Sequence, residues 1–355
     1  MNVKIYSSDL NDMMKVVGKC VQHDVPSHAN VELIHNDNTL TIRASNGIFY
    51  AEASTPAMGG NGESICLDGK MLSDVAGKSR GEIEISSSGN VCTIKGVGRI
   101  KLPVVQGSVA RPEAISGQTV TVDGNKFSAC YRHVRHAVSM DETRIVLTGA
   151  LTVFKGMTMK MAALDGFQLS VEEAECSPVD EPVRMVIPGK FLDLVDKSMC
   201  TGNLTLTTDG KAVEVRADSL LLRCGLLQGE YAAYERMLPE VFLTECRVRR
   251  DKLVEVLRTG RIVGSNQNLV KLHITEESIT IQSNSEKADY EAQVESELMG
   301  DEARIAFNET YLSNALNAID TDECVICCNT PTNPAVIKDG NMRGIRLVLP
   351  VRVVE

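Results

Sequence analysis

The sequence predicts an α+β fold in which three similar domains each place two helices on antiparallel sheet. The first observation behind this prediction is an internal repeat, in which two sets of segments recur at intervals of 117 to 126 residues. The second is that each third of the chain holds two helical segments, 59 to 65 residues apart, that each follow a short strand. These spacings divide the chain into predicted domains of residues 1–117, 118–240 and 241–355.

The helical segments carry apolar residues at intervals of three and four, which marks one buried face per helix. In the first segment that face consists of Leu10, Met13, Met14 and Val17. The positions that align the repeats are Leu10, Phe127 and Leu253 in the first helix of each domain, and Leu72, Leu192 and Leu312 in the second. The six predicted helices span residues 8–21, 68–80, 124–139, 188–199, 249–262 and 308–320.

The segments between the helices alternate apolar and polar residues and contain turn-forming pairs, which is typical of antiparallel hairpins. Two such hairpins, in residues 82–96 and 203–217, stand at matching places in the first two domains. Each follows a glycine, and these two residues, Gly81 and Gly202, are 121 positions apart. The remainder of each domain is therefore predicted to be strand and turn.

The composition excludes several classes of protein. With 43% hydrophobic residues the chain is not disordered, and no stretch approaches the ~18 uncharged apolar residues of a bilayer span. The start, MNVKIYSSDL, has no basic segment followed by an apolar one, so we expect no secretion. A formal net charge of −10 argues by itself against nucleic acid as a partner.

The 11 cysteines are scattered, so we expect reduced and buried side chains rather than a disulfide framework. Cys324, Cys327 and Cys328 include a CxxC spacing, but the sequence offers no second pair of metal ligands nearby, and a buried strand is predicted instead. His133 and His136 lie three residues apart on a predicted helix without an acidic third ligand at helical spacing. No metal site is therefore predicted.

Charge is distributed unevenly between the helices and the rest of the chain. The six helical windows together carry a formal charge of +5, so the rest must carry −15 to give the total of −10. Basic helix faces can serve solubility alone, but repeated domains can also close into a ring with their helices inside. A wall of six packed helices leaves a hole of roughly 7 Å, whereas twelve leave about 25 Å, enough for a hydrated duplex. The ring hypothesis therefore requires two chains.

Five strings, in register along the whole chain, resemble the bacterial β sliding clamp family, the processivity subunit of DNA polymerase III. Each string alone is a weak match, but the five occur in the family's order and at its spacing. They are DETRIVLTGALT (141–152), AALDGFQLS (162–170), LLQGEYAAYERMLPE (226–240), IAFNETYLSNAL (305–316) and LVLPVRVVE (347–355).

The resemblance implies a function. Two chains would close head to tail into a ring of six domains around duplex DNA, and the ring would slide and tether the replicative polymerase as its processivity factor. The implied partners are duplex DNA, a second copy of the chain, the catalytic subunit of DNA polymerase III, the clamp loader and other proteins with a clamp-binding motif. The protein would be no enzyme, would need no cofactor or membrane, and would work in the cytoplasm at the nucleoid.

The resemblance also implies a pocket for a short linear peptide between the second and third predicted domains. Apolar side chains would take the peptide's anchors, and Gly166 would allow close approach of the backbone. For Leu147 and Leu238, a place in ordinary interdomain core is the alternative. The residues that match the family's pocket are Leu147, Leu164, Gly166, Phe167, Gln168, Leu169, Arg236, Met237, Leu238, Leu347, Leu349, Pro350, Val351 and Arg352.

The pocket strings depart from the family's pattern at several positions. Phe167 and Gln168 replace the usual histidine and arginine, Leu164 replaces threonine, and Ala232 replaces proline. The tail ends Val353-Val354-Glu355 instead of stopping one residue after Arg352. We therefore expect a more apolar and less basic rim, and a peptide consensus that differs from the common one.

The basic residues of the helical windows are the candidates for contact with DNA. Such contacts would go to phosphates and would be independent of base sequence. Lys190, which follows Pro188-Gly189 at the start of its helix, matches a family lysine that faces the hole. The full set is Lys19, Lys78, Arg80, Arg132, Arg135, Lys190, Lys197, Arg258 and Arg261.

Two other functions stay open at this point. A repeat protein of this kind could be a scaffold that collects peptide partners without binding DNA. It could also be an enzyme of unrecognised type, although GxxxxGK[ST], GxSxG and HExxH do not occur in the sequence.

Overall fold

The computed structural model of this chain describes residues 1–59, 62–198, 202–263, 268–340 and 344–353. Within these ranges the chain forms three antiparallel sheets of five, eight and ten strands, together with six α-helices. The predicted α+β class is therefore confirmed. Cys200 and the last two residues, Val354 and Glu355, lie outside the described part of the chain.

The strands are numbered in chain order. The first twelve are β1 (Asn2–Tyr6), β2 (Asn30–Asn36), β3 (Thr39–Ser45), β4 (Phe49–Pro56), β5 (Met58–Gly59), β6 (Glu63–Asp68), β7 (Glu82–Ser88), β8 (Val91–Lys95), β9 (Arg99–Pro103), β10 (Gln118–Asp123), β11 (Gly149–Leu164) and β12 (Gln168–Pro188). The others are β13 (Asn203–Thr208), β14 (Ala212–Ala217), β15 (Leu220–Gly225), β16 (Thr244–Arg249), β17 (Leu269–Ile274), β18 (Ser278–Asn284), β19 (Asp289–Gly300), β20 (Ala303–Asn308), β21 (Glu323–Cys328), β22 (Ala335–Asp339) and β23 (Ile345–Val348).

Each of the six α-helices begins at the residue directly after a strand. Their starts lie at residues 7 and 69, 124 and 189, and 250 and 309, so the two helices of each pair are 62, 65 and 59 residues apart. These spacings confirm the predicted repeat of a strand followed by a helix. The helices are α1 (Ser7–Val17), α2 (Gly69–Lys78), α3 (Gly124–Val134), α4 (Gly189–Lys197), α5 (Arg250–Val263) and α6 (Glu309–Asn317).

Backbone hydrogen bonds at the helix starts repeat as the sequence does. The N–H of Ser7 donates to the carbonyl of Gly81 at 2.9 Å, and the N–H of Gly124 donates to the carbonyl of Gly202 at 2.8 Å. Each bond satisfies one of the amides that the first turn of a helix leaves without an intrahelical partner. The two glycines are thus equivalent in the structure, as their spacing predicts.

The chain divides into two compact units. The first, residues 1–125 and 190–226, contains the sheets β5-β1-β7-β8-β9 and β10-β13-β14-β15-β4-β3-β2-β6. The second, residues 126–189 and 227–355, contains the sheet β11-β12-β23-β22-β21-β16-β19-β18-β17-β20. The two larger sheets each contain strands from two neighbouring predicted domains. The two compact units therefore do not coincide with the three predicted domains. The domain borders stay a prediction.

Each unit has a core in which a helix pair covers a sheet. In the first, α1 packs against α2 and buries Leu10, Met13, Met14 and Val17, the face that its apolar spacing predicts. In the second, α5 packs against α6 through a core with four fully buried leucines, Leu253, Leu257, Leu312 and Leu316. Burying one such side chain contributes roughly 1.5–3 kcal/mol.

Within the residues that the structure describes, five of the six helices are shorter than predicted, and in α1 and α3 the last turn of the predicted helix tightens into a 3₁₀ turn. The 3₁₀ turn Gly18–Cys20 follows α1, and the 3₁₀ turn Arg135–Ala137 follows α3. Such turns satisfy carbonyls that the end of an α-helix leaves unpaired. In the described ranges no helix combines the length and apolar character needed to span a membrane.

The described cysteines are buried and unpaired, as the sequence predicts. The segment with the CxxC spacing is β21, which confirms the predicted strand. Burial raises the pKa of Cys324 and Cys327 to about 12, so their thiols stay protonated near neutral pH.

Candidate functional site

Four leucines predicted for the peptide pocket lie in one apolar cluster of the second unit. Leu147, Leu164, Leu169 and Leu347 are at most 6% exposed. Leu164 pairs with Leu169 across β11 and β12, and Leu169 pairs with Leu347 across β12 and β23, so three leucines form a row on one sheet face. Leu238 packs against the same cluster. The structure thus joins four distant strings into one apolar floor.

The connecting run of residues 226–240 is anchored on this floor by two tyrosines. Tyr231 and Tyr234 are 3% and 2% exposed and belong to the same cluster. The short 3₁₀ helix Tyr234–Met237 then leaves the next two predicted pocket residues, Arg236 and Met237, exposed. The run therefore places one basic and one apolar side chain beside the floor.

The turn between β11 and β12 is held by a single carboxylate. Asp165 Oδ1 accepts the N–H groups of Phe167 at 2.7 Å and Gln168 at 2.8 Å. Gly166 has φ of +99°, a left-handed conformation that glycine adopts without strain. This turn leaves Phe167 55% exposed at the edge of the leucine floor.

Gln168 supports the turn from beneath. Its side chain is buried, and Nε2 donates to Asp165 Oδ2 at 2.9 Å and to the carbonyl of His136 at 3.1 Å. Leu164, the other replaced residue of this segment, is part of the buried floor. The expected apolar character of the rim therefore depends on Phe167, with Met237 and Leu349, which are 49% and 37% exposed.

Two further residues lie beside the predicted pocket and were not among the predicted pocket residues. The ring of Tyr311 on α6 stacks on Phe167, with centroids 5.5 Å apart and planes 14° apart. Arg144 donates from Nη2 to the carbonyl of Asp165 at 3.2 Å, and its guanidinium lies against Gly166. Both occur inside strings that carry the resemblance, but only the folded turn reveals what they touch.

The C-terminal segment continues along the same turn. The N–H of Leu349 donates to the carbonyl of Phe167 at 2.9 Å, and the N–H of Val351 donates to the carbonyl of Ala306 at 2.8 Å. Pro350 and Val351 are half-buried, and Arg352 is exposed. Main-chain bonds therefore hold this segment beside Phe167.

A buried ionic network lies directly behind the leucine floor. Arg346 Nη2 donates to Glu172 Oε2 at 2.5 Å and to the carbonyl of Ala318 at 2.6 Å. His133 lies between two carboxylates, with Nδ1 3.1 Å from Glu172 Oε2 and Nε2 2.9 Å from Asp320 Oδ2. The network links α3, the strands β12 and β23, and the segment after α6.

The network shifts the pKa values of its members. The hydrogen bond that His133 donates to the carboxylate of Glu172 raises the pKa of His133. Burial opposes ionisation of Glu172, but His133 and Arg346 together lower its pKa. Burial, followed by the charge of Arg346, lowers the pKa of His136 to about 4, and neither ring nitrogen of His136 has a hydrogen-bond partner among the described residues. His136 is therefore neutral at physiological pH.

The nine basic residues predicted to contact DNA are all exposed. Three of them lie off the α-helices, because Lys19 and Arg135 belong to 3₁₀ turns and Arg80 follows the end of α2. Within their observed bounds the six helices of the described chain carry +3 rather than +5. The remaining candidates lie on α2, α3, α4 and α5 and are Lys78, Arg132, Lys190, Lys197, Arg258 and Arg261.

Arg80 and Arg261 each contact a group of their own unit. Arg80 Nη1 donates to the carbonyls of Gly77 at 3.1 Å and Ser79 at 2.7 Å, at the end of α2. Arg261 Nε lies 3.7 Å from the buried Oε2 of Glu309. Such exposed contacts are weak and still allow the guanidinium to bind a phosphate. In the described part of the chain no three histidine, cysteine or acidic side chains are grouped to hold a metal ion.

Two segments of the chain match models of a known protein family. The model for the DNA polymerase III beta subunit, central domain, matches residues 121–233, and the model for its C-terminal domain matches residues 235–352. Together they match more than half of the chain. A curated relative, the beta sliding clamp of Bacillus subtilis, is 24% identical over 97% of this chain and 96% of its own length.

Solved structures share the fold. The crystal structure of the DNA polymerase sliding clamp from Bacillus subtilis is 22% identical, covers all of both chains and has a TM-score of 0.93. A Pseudomonas aeruginosa sliding clamp bound to griselimycin is 18% identical, covers 99% of this chain and 100% of its own, and also has a TM-score of 0.93. The fold is thus that of DNA polymerase sliding clamps. With the two matched domain models, this chain belongs to the DNA polymerase III beta subunit family.

Proposed function

We propose that this chain is a DNA sliding clamp, which encircles duplex DNA without sequence specificity and acts as the processivity factor of a replicative polymerase. The observation that carries the proposal is the exposure of all nine predicted DNA-contacting side chains, on or next to the repeated helices, in a chain of net charge −10. Encirclement holds an acidic protein on DNA because it needs no net attraction. Positive groups on the helices then lower the electrostatic free energy of the duplex inside.

The ring requires two copies, and exposed apolar residues suggest where they meet. Val97, just before β9, is 98% exposed and Ile100, within β9, is 42% exposed; β9 is an edge strand of the five-stranded sheet. Ile262, near the end of α5, is 85% exposed. Exposed apolar side chains next to an open strand edge favour association with another chain. A head-to-tail dimer would place Val97 and Ile100 of one copy against Ile262 of the other.

The dimer is tested by mass in solution at micromolar concentration. The wild-type chain should have about twice the monomer mass of 38.6 kDa. Val97→Glu combined with Ile262→Glu should give the monomer mass, because a buried unpaired carboxylate opposes the contact. Met157→Glu, at a residue that is 65% exposed elsewhere, is the matched control. A monomeric wild type would contradict the ring.

The pocket built on the leucine floor would receive the short peptide of the polymerase catalytic subunit, the clamp loader and other partners. Phe167, Met237 and Leu349 offer an exposed apolar surface beside the buried leucines for the peptide's anchors, and Phe167 stacked on Tyr311 adds an aromatic wall. The rim is aromatic at Phe167, where the family usually has histidine, and the family's arginine is replaced by the buried Gln168, so the preferred peptide should differ from the common consensus. Equal affinity for a common clamp-binding peptide here and in a typical clamp would contradict this expectation.

The organisation that goes with this function has three domains, residues 1–117, 118–240 and 241–355. The matched ranges 121–233 and 235–352 of the family's central and C-terminal domains support the last two. The clamp would work in the cytoplasm at the nucleoid and would have no catalytic site of its own. Opening of the ring would be left to a clamp loader with ATP.

Primer extension tests the function. The polymerase catalytic subunit and the clamp loader of the same organism, with ATP, extend a primer on a long single-stranded circular template. We expect product lengths per binding event to rise when the chain is added, and to fall back with the Val97→Glu and Ile262→Glu variant. Unchanged product lengths would contradict the proposed function.

A further inference from the structure

The first unit contains a second copy of the turn that supports the peptide pocket. Asn46 Oδ1 accepts the N–H groups of Ile48 at 3.1 Å and Phe49 at 2.7 Å, and Gly47 has φ of +81°. The turn Asp165–Gln168 has the same two side-chain bonds and the same left-handed glycine. The two turns are therefore equivalent in structure, although the sequence analysis drew attention only to the second.

The strands next to the two turns are equivalent as well. β4, which leaves the first turn, pairs antiparallel with β15, and Phe49 lies opposite Cys224 while Tyr50 lies opposite Arg223. β12, which leaves the second turn, pairs in the same way with β23. In this register Arg223 occupies the place that Leu347 has in the floor of the peptide pocket. The first unit thus has the same turn and strand pairing as the peptide pocket of the second unit, but an arginine takes the place of a leucine.

A cavity of about 360 Å³ lies over this first frame. Its size is at the lower end of the range for ligand sites, and suits one or two side chains. Ile48 stands 69% exposed at the turn, and Tyr50 is buried in a small cluster with Val109 and Leu221. The lining residues outside the turn are Ala110, Pro112, Ala212, Arg223, Cys224 and Gly225.

Arg223 is the charged residue among those that line the cavity. One of its guanidinium nitrogens, Nη1, donates to the carbonyl of Glu113, which fixes the group at the wall. A guanidinium has five N–H donors in a planar fork that matches a carboxylate. An occupant that combines an apolar side chain with a carboxylate would complement this lining.

We propose that the cavity at Asn46–Phe49 and Arg223 is a second peptide-binding site, which takes a short extended peptide with one large apolar side chain followed by an acidic residue. The inference rests on the proposed function, because the occupant is deduced from the equivalence with the peptide pocket of the second unit. Its preference differs from that of the pocket, since an arginine replaces a leucine in the floor. One clamp chain would then hold two kinds of peptide at once.

Photo-crosslinking to the full-length protein tests the proposal. The probe is a capped seven-residue peptide with a benzophenone amino acid at its centre, a leucine beside it and two glutamates after it. A second probe has lysines in place of the glutamates. Peptide mapping by mass spectrometry then locates the crosslinks at the cavity or at the pocket around Phe167. We expect the glutamate probe to label residues 45–50 or 110–112, and the lysine probe to label them at least about tenfold less.

Variants separate the two sites. Arg223→Gln and Ile48→Ser should each reduce labelling of the cavity at least about tenfold and leave labelling around Phe167 unchanged, which also shows that the protein is folded. Met58→Ser, at another exposed apolar residue of the same unit, is the matched control. A cavity that is unlabelled in the wild type, or labelled equally in Arg223→Gln, overturns the second site even if the pocket is labelled. Labelling of the cavity alone supports the second site and counts against the proposed pocket instead.

Discussion

Arg346 and Glu172 form an ion pair of 2.5 Å in which the two side chains are 1% and 9% exposed. The pair joins β23 to β12 close to the cross-strand pair Leu169 and Leu347, since Arg346 directly precedes Leu347 and Glu172 follows Leu169 by three residues. It therefore fixes the two strands that carry the floor of the proposed peptide pocket.

Glu172→Gln should destabilise the second unit by about 3–5 kcal/mol, because it leaves the guanidinium of Arg346 buried without its counter-ion. Urea unfolding followed by circular dichroism measures the change. The double variant Glu172→Met with Arg346→Met should recover most of the loss, since both charges are then removed. A double variant as unstable as Glu172→Gln would contradict this account of the network.

His136 should make the protein sensitive to acid. Its pKa in the folded protein is about 4 against an ordinary 6.5, so only the unfolded chain takes up this proton between those values. Its contribution to stability is therefore complete above about pH 6.5 and is lost as the pH falls toward 4, by about 3 kcal/mol in all.

His136→Leu should remove that loss. Urea midpoints of the wild type and the variant, measured from pH 7.5 to 4.5, should converge or cross as the pH falls. The groups that face His136, namely His133, Arg346 and the Glu172 paired with them, are the same in both proteins, so the difference isolates His136. Parallel pH profiles would rule the effect out.

Removing two of the predicted DNA contacts should change the salt dependence of DNA binding. Each lysine or arginine on a phosphate contributes about 0.9 to the slope of log affinity against log salt, so Lys190→Ala with Arg135→Ala should reduce it by about 1.8. Affinity for several duplex sequences should fall equally. Lys155→Ala with Lys271→Ala, at exposed strand lysines, is the charge-matched control. An unchanged slope in the first variant would contradict the assigned contacts.

The aromatic rim should matter for peptide binding. Phe167→Ala removes the ring that stacks on Tyr311 and should weaken binding of the polymerase's own clamp-binding peptide about tenfold. Because Phe167 is 55% exposed, the fold should be unaffected. Fluorescence anisotropy with a labelled peptide measures the affinity, and Met157→Ala serves as the control. Full affinity in Phe167→Ala would exclude the proposed rim.

Repetition made the fold predictable from the sequence. The spacing of Leu10, Leu72 and their equivalents fixed six helix positions, because a strand followed by a helix is a local unit whose apolar period is visible in the sequence. Which strands pair with each other in the sheets could not be predicted from the sequence. The pairs β4 with β15 and β12 with β23 join residues more than 160 positions apart, and no local pattern reports such a contact.

The candidate site was predictable only in part for the same reason. The strings indicated the leucines of the floor, but burial of Gln168 and the contact of Tyr311 with Phe167 depend on how distant segments meet. The network of Arg346, Glu172 and His133 gave no signal, because its members lie outside the five strings, on α3, β12 and β23, and are far apart in the sequence.

Retention on DNA of different topology tests the central claim most directly. The labelled chain is loaded with the clamp loader and ATP on nicked circular DNA, separated from unbound protein by gel filtration, and examined before and after one restriction cut. The account predicts that the protein stays with the circle at high salt and leaves once the DNA is linear, since encirclement and not affinity retains it. Equal retention on the circle and on the linear DNA, or none on either, would contradict it.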